Sequence, residues 1–126
     1  MTFRFARHTN DLEQIKSFYI DILGFELLGK FENHNNYDGV FIGKVNENWH
    51  LEFTKSDEVV HCNFNEDDIL VFYPHDKIEF ESVIYKIQSK NIEFIEAKNP
   101  YWNKNGKMIL DPDGYRIIIS DLKTKV

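Results

Sequence analysis

The feature that most constrains this chain is an order of apolar patterns that occurs twice. In each half, a short strand-like run precedes an amphipathic stretch with apolar residues at i, i+3, i+4 and i+7, and three more strand-like runs follow. The amphipathic stripes begin at Ile15 and Phe80, and the runs HLEFT and YRIII begin at His50 and Tyr115, so both pairs lie 65 positions apart. This spacing favours a structural duplication, although generic α+β patterning would give a similar order.

Local signals mark where each amphipathic stretch begins and ends. Asn10, with an acid three residues later, predicts the first helix start, and Asp76 predicts the second in the same way. Gly24 and Asn91 are suited to the left-handed conformation that ends a helix. The sequence therefore predicts two helices, each inserted after the first strand of its half.

The predicted architecture is an α+β fold built from two βαβββ modules in a single domain. Module one spans residues 1–55, a polar connector spans 56–67, and module two spans 68–126. Module two is expected to include a strand over 93–97, before those over 107–110 and 115–121. A chain of 126 residues is long enough for one sizeable core and too short for two ordinary domains.

Charge and cysteine content exclude several classes of function. A formal net charge of −6 argues against nucleic-acid binding and against docking on anionic membranes. The single cysteine, Cys62, rules out an internal disulfide and favours a reducing setting. No leader-like segment or membrane-length apolar run is found, so we expect a soluble cytoplasmic protein.

Three segments resemble a known superfamily. HTNDLEQIKSFYIDILGFELL resembles the opening strand and helix of the vicinal oxygen chelate superfamily, which includes glyoxalase I, bleomycin-resistance proteins and extradiol dioxygenases. WHLEFTKS resembles its fourth strand, and DPDGYRIIIS, a turn followed by a strand, resembles its last. NPYWNKNGKMILDPDGYR is most similar to a small, uncharacterised glyoxalase-like branch.

The resemblance implies a cupped mixed sheet, formed by both modules around a central cavity, with helices outside and homodimerisation common. In metal-dependent members, His or Glu side chains from the first and fourth strands of each module hold a divalent cation, which acts as a Lewis acid. Matching motifs places these four positions at Arg4, Glu52, Asp68 and Ile118, although the match at Asp68 is open to a slip of one residue.

Two of these four residues cannot bind a metal. Arg4 is permanently protonated and has no lone pair to give, and Ile118 has no donor atom. A catalytic metal generally needs about three protein ligands, so Glu52 and Asp68 alone do not complete a glyoxalase-type site. Arg4 is instead expected to pair with Glu52, Asp68 or both, or to hold an anionic ligand.

Two histidines leave another arrangement open. His8 and His50 share the strand register of Arg4 and Glu52, so they would form an off-pattern His/His/Glu metal site or an acid–base group. The alternative is that both are rim histidines bonded to backbone or water. Register alone does not bring the strands together, and the rim interpretation is preferred.

Further residues are candidates for contact with a ligand. Tyr101 and Trp102, in the run PYW, are interpreted as part of a loop, where they either stack on a ligand or plug the core. Phe72 and Ile118 would supply apolar walls, and Arg116 would help orient the ligand.

These observations predict a small-molecule-binding protein with no metal or other cofactor and no nucleic-acid or membrane partner, which forms a homodimer. The rival is a metal-dependent lyase, isomerase or dioxygenase that uses Glu52 with His8, His50 or Asp68.

Overall fold

The computed structural model describes residues 1–124 of the chain. The chain divides into two compact units, Met1–Cys62 and Asn63–Val126, and each contains its own β-sheet. Both sheets mix parallel and antiparallel pairs, and the helices are few, which confirms the α+β class. Within the described range, no helix is long and apolar enough to cross a membrane.

The first unit has a four-stranded sheet in the order β1-β4-β3-β2. β1 runs parallel to β4, and the other two pairs are antiparallel. A short helix and a π-helical segment follow β1. Their bounds are β1 Phe3–His8, α1 Leu12–Ser17, the π-helical segment Phe18–Ile22, β2 Glu26–His34, β3 Tyr37–Gly43 and β4 Trp49–Lys55.

The predicted start of the first helix was wrong by one residue. Asp11 is the N-cap, and its carboxylate accepts a hydrogen bond from the Gln14 N–H at 3.0 Å. Asn10 instead bonds both backbone groups of Val60, at 2.7 and 2.8 Å. Asn and Asp are both favourable N-cap residues. Asp11 takes this role because the Asn10 side chain is bonded to the backbone of Val60. The expected helix end at Gly24 is confirmed by its φ of 78°.

The core of the first unit lies between α1 and one face of the sheet. Ile15 and Tyr19 on the helical side are fully buried, as are Ile42 and Phe53 on the strands. The rings of Tyr19 and Phe53 are 4.9 Å apart. The predicted i, i+3, i+4 stripe therefore faces the sheet, because helical periodicity places these residues on one side.

The second unit has a three-stranded sheet in the order β5-β7-β6. β5 is parallel to β7, and β6 is antiparallel to it. The Asp76 side chain caps the longest helix through the Glu79 N–H at 2.8 Å, and Asn91 ends it with a φ of 57°, as predicted. The bounds are β5 Ile69–Phe72, α2 Lys77–Ser89, α3 Pro100–Asn105, β6 Gly106–Leu110, β7 Arg116–Ser120 and a 3₁₀ turn Leu122–Thr124.

Two local predictions for the second unit were wrong. The expected strand over 93–97 is reduced to one bridge between Ile95 and Met108, because the Ala97 backbone bonds the side chain of Asn103 rather than a strand. The expected loop at Pro100–Trp102 is the start of α3. Asn99 caps this helix, and Pro100 occupies the first turn, where a missing N–H costs nothing.

Candidate functional site

One face of the first sheet carries most of the polar candidates. β1 and β4 pair in register, so that Arg4 lies beside His50, Ala6 beside Glu52, and His8 beside Thr54. Because side chains alternate along a strand, these residues share the face opposite to the buried core. We call this surface, formed by Arg4, His8, His50, Glu52 and the β3 residue Phe41, the Arg4 face.

Arg4 lies between a histidine and a carboxylate. Its Nε donates to His50 Nε2 at 2.8 Å, and its Nη1 is 3.7 Å from Glu52 Oε1. A guanidinium can only donate, so Nε2 of His50 must accept, and the ring proton lies on Nδ1. The Arg4 side chain is 50% exposed and that of Glu52 is 16% exposed. A half-exposed cation is thus held in position by two partners on the adjacent strand.

Aromatic rings form the apolar part of the Arg4 face. The Arg4 guanidinium carbon is 4.8 Å from the centre of the Phe41 ring, within the range of a cation–π contact. Phe31 lies 5.8 Å from Phe41 between ring centres. A Cβ at Gly39 would collide with the Phe31 ring, so glycine lets that ring lie flat on β3. The sheet therefore offers two neighbouring aromatic rings, tilted by 45° to each other, beside a positive charge.

His8 lies elsewhere on the same face and has different partners. Its Nδ1 is 2.7 Å from Thr54 Oγ1, its Nε2 is 3.1 Å from Ser56 Oγ, and its ring contacts Tyr37 edge-on at 5.7 Å. Both ring nitrogens of His8 thus face hydroxyl groups. The His8/His50/Glu52 metal site, which the sequence left open as the less favoured alternative, is not present as a cluster, since no group of three His, Cys, Asp or Glu side chains among residues 1–124 is arranged to hold a metal.

The donor groups on the Arg4 face do not fit the divalent cation that the superfamily implies. The lone pair of His50 Nε2 is directed at Arg4, and Glu52 is paired with the same guanidinium. Both ring nitrogens of His8 face hydroxyl groups instead, which leaves His50 and Glu52 as two donors. A catalytic metal site generally has three, and here a tethered positive charge lies between the two.

In the second unit, Ile118 is buried in an apolar cluster. It is 0% exposed and packs with Ala97 and Met108, while Ile69, Val71, Ile95 and Trp102 lie against this cluster. On the same strand, Arg116 is partly exposed, and its Nη1 is 3.5 Å from the carbonyl oxygen of Asn65. Ile118 therefore belongs to the core of its unit and offers no donor group.

The strand register corrects the placement of Asp68. Asp68 is exposed and precedes β5, and Ile69 is the residue that pairs with Arg116, as Arg4 pairs with His50. The one-residue slip left open by the motif match is thus the arrangement found. A slip of one residue turns a side chain to the other side of the strand, so Asp68 is not the counterpart of Arg4.

The same register separates Phe72 from Ile118. Phe72 pairs with Ile119, whereas Ile118 pairs with Val71. Phe72 and Ile118 therefore lie on opposite faces of the second sheet, so they cannot both supply apolar walls to a pocket on one face of it, and this part of the prediction was wrong.

Tyr101 and Trp102 differ in their surroundings. Trp102 is half-buried against the Ile118 cluster, as the core-plug interpretation requires. Tyr101 is 51% exposed, and its ring contacts Trp102 edge-on at 4.9 Å. Sequence reasoning missed Phe41, although its position on the strand next to HLEFT was the available signal.

Comparisons with known proteins find matches in both units of the chain. Residues 3–54 match the family model of the YycE-like N-terminal domain, and residues 67–121 match that of the YycE-like C-terminal domain. An uncharacterized protein, YycE of Bacillus subtilis (strain 168), is 37% identical over 125 residues, which cover 95% of this chain and 87% of that protein. The crystal structure of a YycE protein of unknown function from Bacillus subtilis superposes with a TM-score of 0.84 at 35% identity, covering 99% of this chain and 90% of that one.

More distant structures share the fold alone. Glyoxalase I of Leishmania major, a trypanothione-dependent enzyme, has a TM-score of 0.74 at 19% identity, with 95% of this chain and 85% of that chain covered. An antibiotic-binding protein from Streptomyces sp. CB03234 has a TM-score of 0.68 at 20% identity, with 95% and 93% covered. One fold thus serves an enzyme and a binding protein in these relatives.

Proposed function

Because the chain belongs to the YycE-like family, within the vicinal oxygen chelate superfamily, we propose that it binds a small molecule without using a catalytic metal. In this proposal the ligand lies on the Arg4 face, where Arg4 contacts an anionic group and the Phe31 and Phe41 rings contact an apolar part.

The observation that carries the proposal is the position of Arg4 between His50 and Glu52. At 2.8 and 3.7 Å, the guanidinium occupies the donors that a cation would need. Two partners fix the side chain while half of it remains exposed, so the ordering of a long flexible side chain is largely complete before a ligand arrives. His50 and Glu52 are positioning residues, because they contact Arg4.

The remaining candidates have smaller parts in the proposal. His8, which lies on the Arg4 face, is proposed to orient the ligand there, because its side chain is partly exposed. Arg116, Tyr101, Trp102 and Ile118 lie in the second unit and are not assigned to a ligand on the Arg4 face; Trp102 and Ile118 belong to the apolar core of that unit. Asp68 and Phe72 are not included, because the register places them away from the positions expected for them.

Thermal shift against a panel of metabolites and antibiotics tests the proposal. A ligand at one hundred times its Kd stabilises the folded chain by about 2.7 kcal/mol, which raises Tm by several degrees. We expect such a hit for the parent and for Lys90→Met, an exposed charge-matched control, and at least a tenfold weaker response for Arg4→Met. A panel without any hit, or hits unaffected by Arg4→Met, would contradict the proposal.

The alternative is a metal-dependent lyase, isomerase or dioxygenase that uses Glu52 with His8, His50 or Asp68. One observation favours it: His50 and Glu52 both approach the same guanidinium, that of Arg4, so two potential metal ligands lie near each other. Metal analysis of protein purified without chelator separates the two functions. About one equivalent of zinc, nickel, manganese or iron, lost in Glu52→Gln, would overturn the metal-free binding proposal and favour the alternative.

A cytoplasmic location and a homodimeric state are part of the same proposal. Light scattering of the purified chain tests the second: a mass near 15.0 kDa identifies a monomer, and twice that mass a dimer.

A further inference from the structure

The second unit contains a cavity that the proposed function does not use. Its volume is about 420 Å³, within the range of small-molecule pockets, and all of its lining residues belong to this unit. Ile69, Ala97 and Trp102 form its apolar part. The polar part consists of Glu66, Asp67, Lys98 and Asn99.

Hydrogen bonds hold the walls of this cavity in place. The Asn103 side chain donates to the Ala97 carbonyl at 2.9 Å and accepts from the Ala97 N–H at 2.7 Å, which ties the segment before α3 to the helix itself. The Asn65 side chain accepts from the Asp67 N–H at 2.8 Å and fixes the acidic turn on the other side. Trp102 packs against the Ile118 cluster. The cavity is therefore preformed, so a ligand would not have to order its walls.

The charges around the cavity are not balanced. Lys98 Nζ is 3.9 Å from Asp67 Oδ2, so these two charges largely offset each other at the rim. Glu66 contributes a second carboxylate to the lining, while Lys98 is its only cation. The lining thus has a net formal charge of about −1 at neutral pH, beside an indole, which is the aromatic side chain best suited to cations.

We propose that this cavity binds a planar organic cation, with its aromatic body against Trp102 and its positive charge near Glu66. The apolar and aromatic part of the lining favours a ligand with a flat apolar body. The excess carboxylate favours a ligand with a positive charge. The proposal is independent of the Arg4 face, which lies in the first unit and favours the opposite charge.

N-methylquinolinium is a suitable probe, with neutral quinoline and anionic 2-naphthoate as shape-matched controls. Titrations are followed by the ¹H–¹⁵N signals of the full chain, in which the indole N–H of Trp102 is identified by its loss in Trp102→Phe. We expect the cation to shift the Trp102 signal and to bind at least fivefold more tightly than either control. This difference in affinity is expected because the cation alone gains a partly desolvated cation–π contact and the attraction of one carboxylate.

Two substitutions should change the affinity in opposite directions. Glu66→Gln removes the second carboxylate of the lining and should raise the Kd of N-methylquinolinium about threefold. Lys98→Met frees Asp67 from its ion pair and should lower the Kd about threefold. Changes of this size are expected for exposed charges. Glu93→Gln, which removes an exposed acid outside the cavity lining, should leave the Kd unchanged.

The outcomes separate this proposal from the proposed function. Absence of binding at millimolar probe, equal or tighter binding of 2-naphthoate, or shifts confined to the first unit would each overturn the cation site. So would a Kd that is the same in Glu66→Gln and Lys98→Met. None of these results affects the Arg4-dependent hits of the thermal-shift panel.

Discussion

Single residues decide the chemistry of each sheet. On the first sheet, Arg4 sets the chemistry because a guanidinium donates and never accepts, so its neighbours on β4 must act as acceptors. On the second sheet, Ile118 has the opposite character, because it lies in an apolar cluster without any exposed surface. A carboxylate at this position would be buried without a partner.

Substitution of Ile118 provides a test at this scale. Ile118→Glu should lower the free energy of unfolding by more than about 3 kcal/mol, because it buries an uncompensated charge. Ile118→Val, which keeps the apolar character, should lower it by about 1 kcal/mol. Urea denaturation measures both values. Equal stability of the two variants would show that position 118 is open to water.

Among the elements, the β2–β3 hairpin has the most demanding turn. Asn35 and Asn36 connect the strands with φ angles of 51° and 70°, as a two-residue turn with both residues left-handed requires. Glycine adopts this conformation without a Cβ penalty, so Asn36→Gly should raise the free energy of unfolding by about 0.5 kcal/mol. Asn36→Ala should lower it by about 1 kcal/mol. Urea denaturation gives both values, and a destabilising glycine would contradict this account of the turn.

The sequence was sufficient to predict the main strands and the two capped helices, because helical stripes and strand alternation are local patterns, but not the short α3 helix in the second unit. It failed where two neighbours compete for a single role, as Asn10 and Asp11 do at the first helix, since a distant backbone group at Val60 decides between them. The pairing of Arg4 with Glu52 was expected from the resemblance to the superfamily, which places both residues on strands that face one cavity. The hydrogen bond of Arg4 to His50 was not, because it depends on a side-chain conformation.

Across the whole molecule, the two units share a pairing scheme but not its chemistry. In each, the first strand lies parallel to the last strand in sequence: Arg4 pairs with His50 in one unit and Ile69 with Arg116 in the other. Val71 and Ile118 correspond in the same way to Ala6 and Glu52. This repeat favours a structural duplication in which one face carries polar groups and the corresponding face of the other unit is apolar around Ile118.

The stability of the whole chain reports any ion that it binds, so removal of Arg4 should reveal the donors that this side chain occupies. In Arg4→Ala, His50 Nε2 and the Glu52 carboxylate lose their shared partner and become available to a cation. At a Zn²⁺ concentration tenfold above its Kd, the free energy of unfolding of Arg4→Ala should rise by about 1.4 kcal/mol, and a chelator should reverse the gain. The parent should show little response, because Zn²⁺ must first displace the guanidinium.

The double variant Arg4→Ala/Glu52→Gln is the control, and Zn²⁺ should not stabilise it as it stabilises Arg4→Ala. Equal stabilisation of the parent and Arg4→Ala by Zn²⁺ would contradict the occupation of these donors by Arg4.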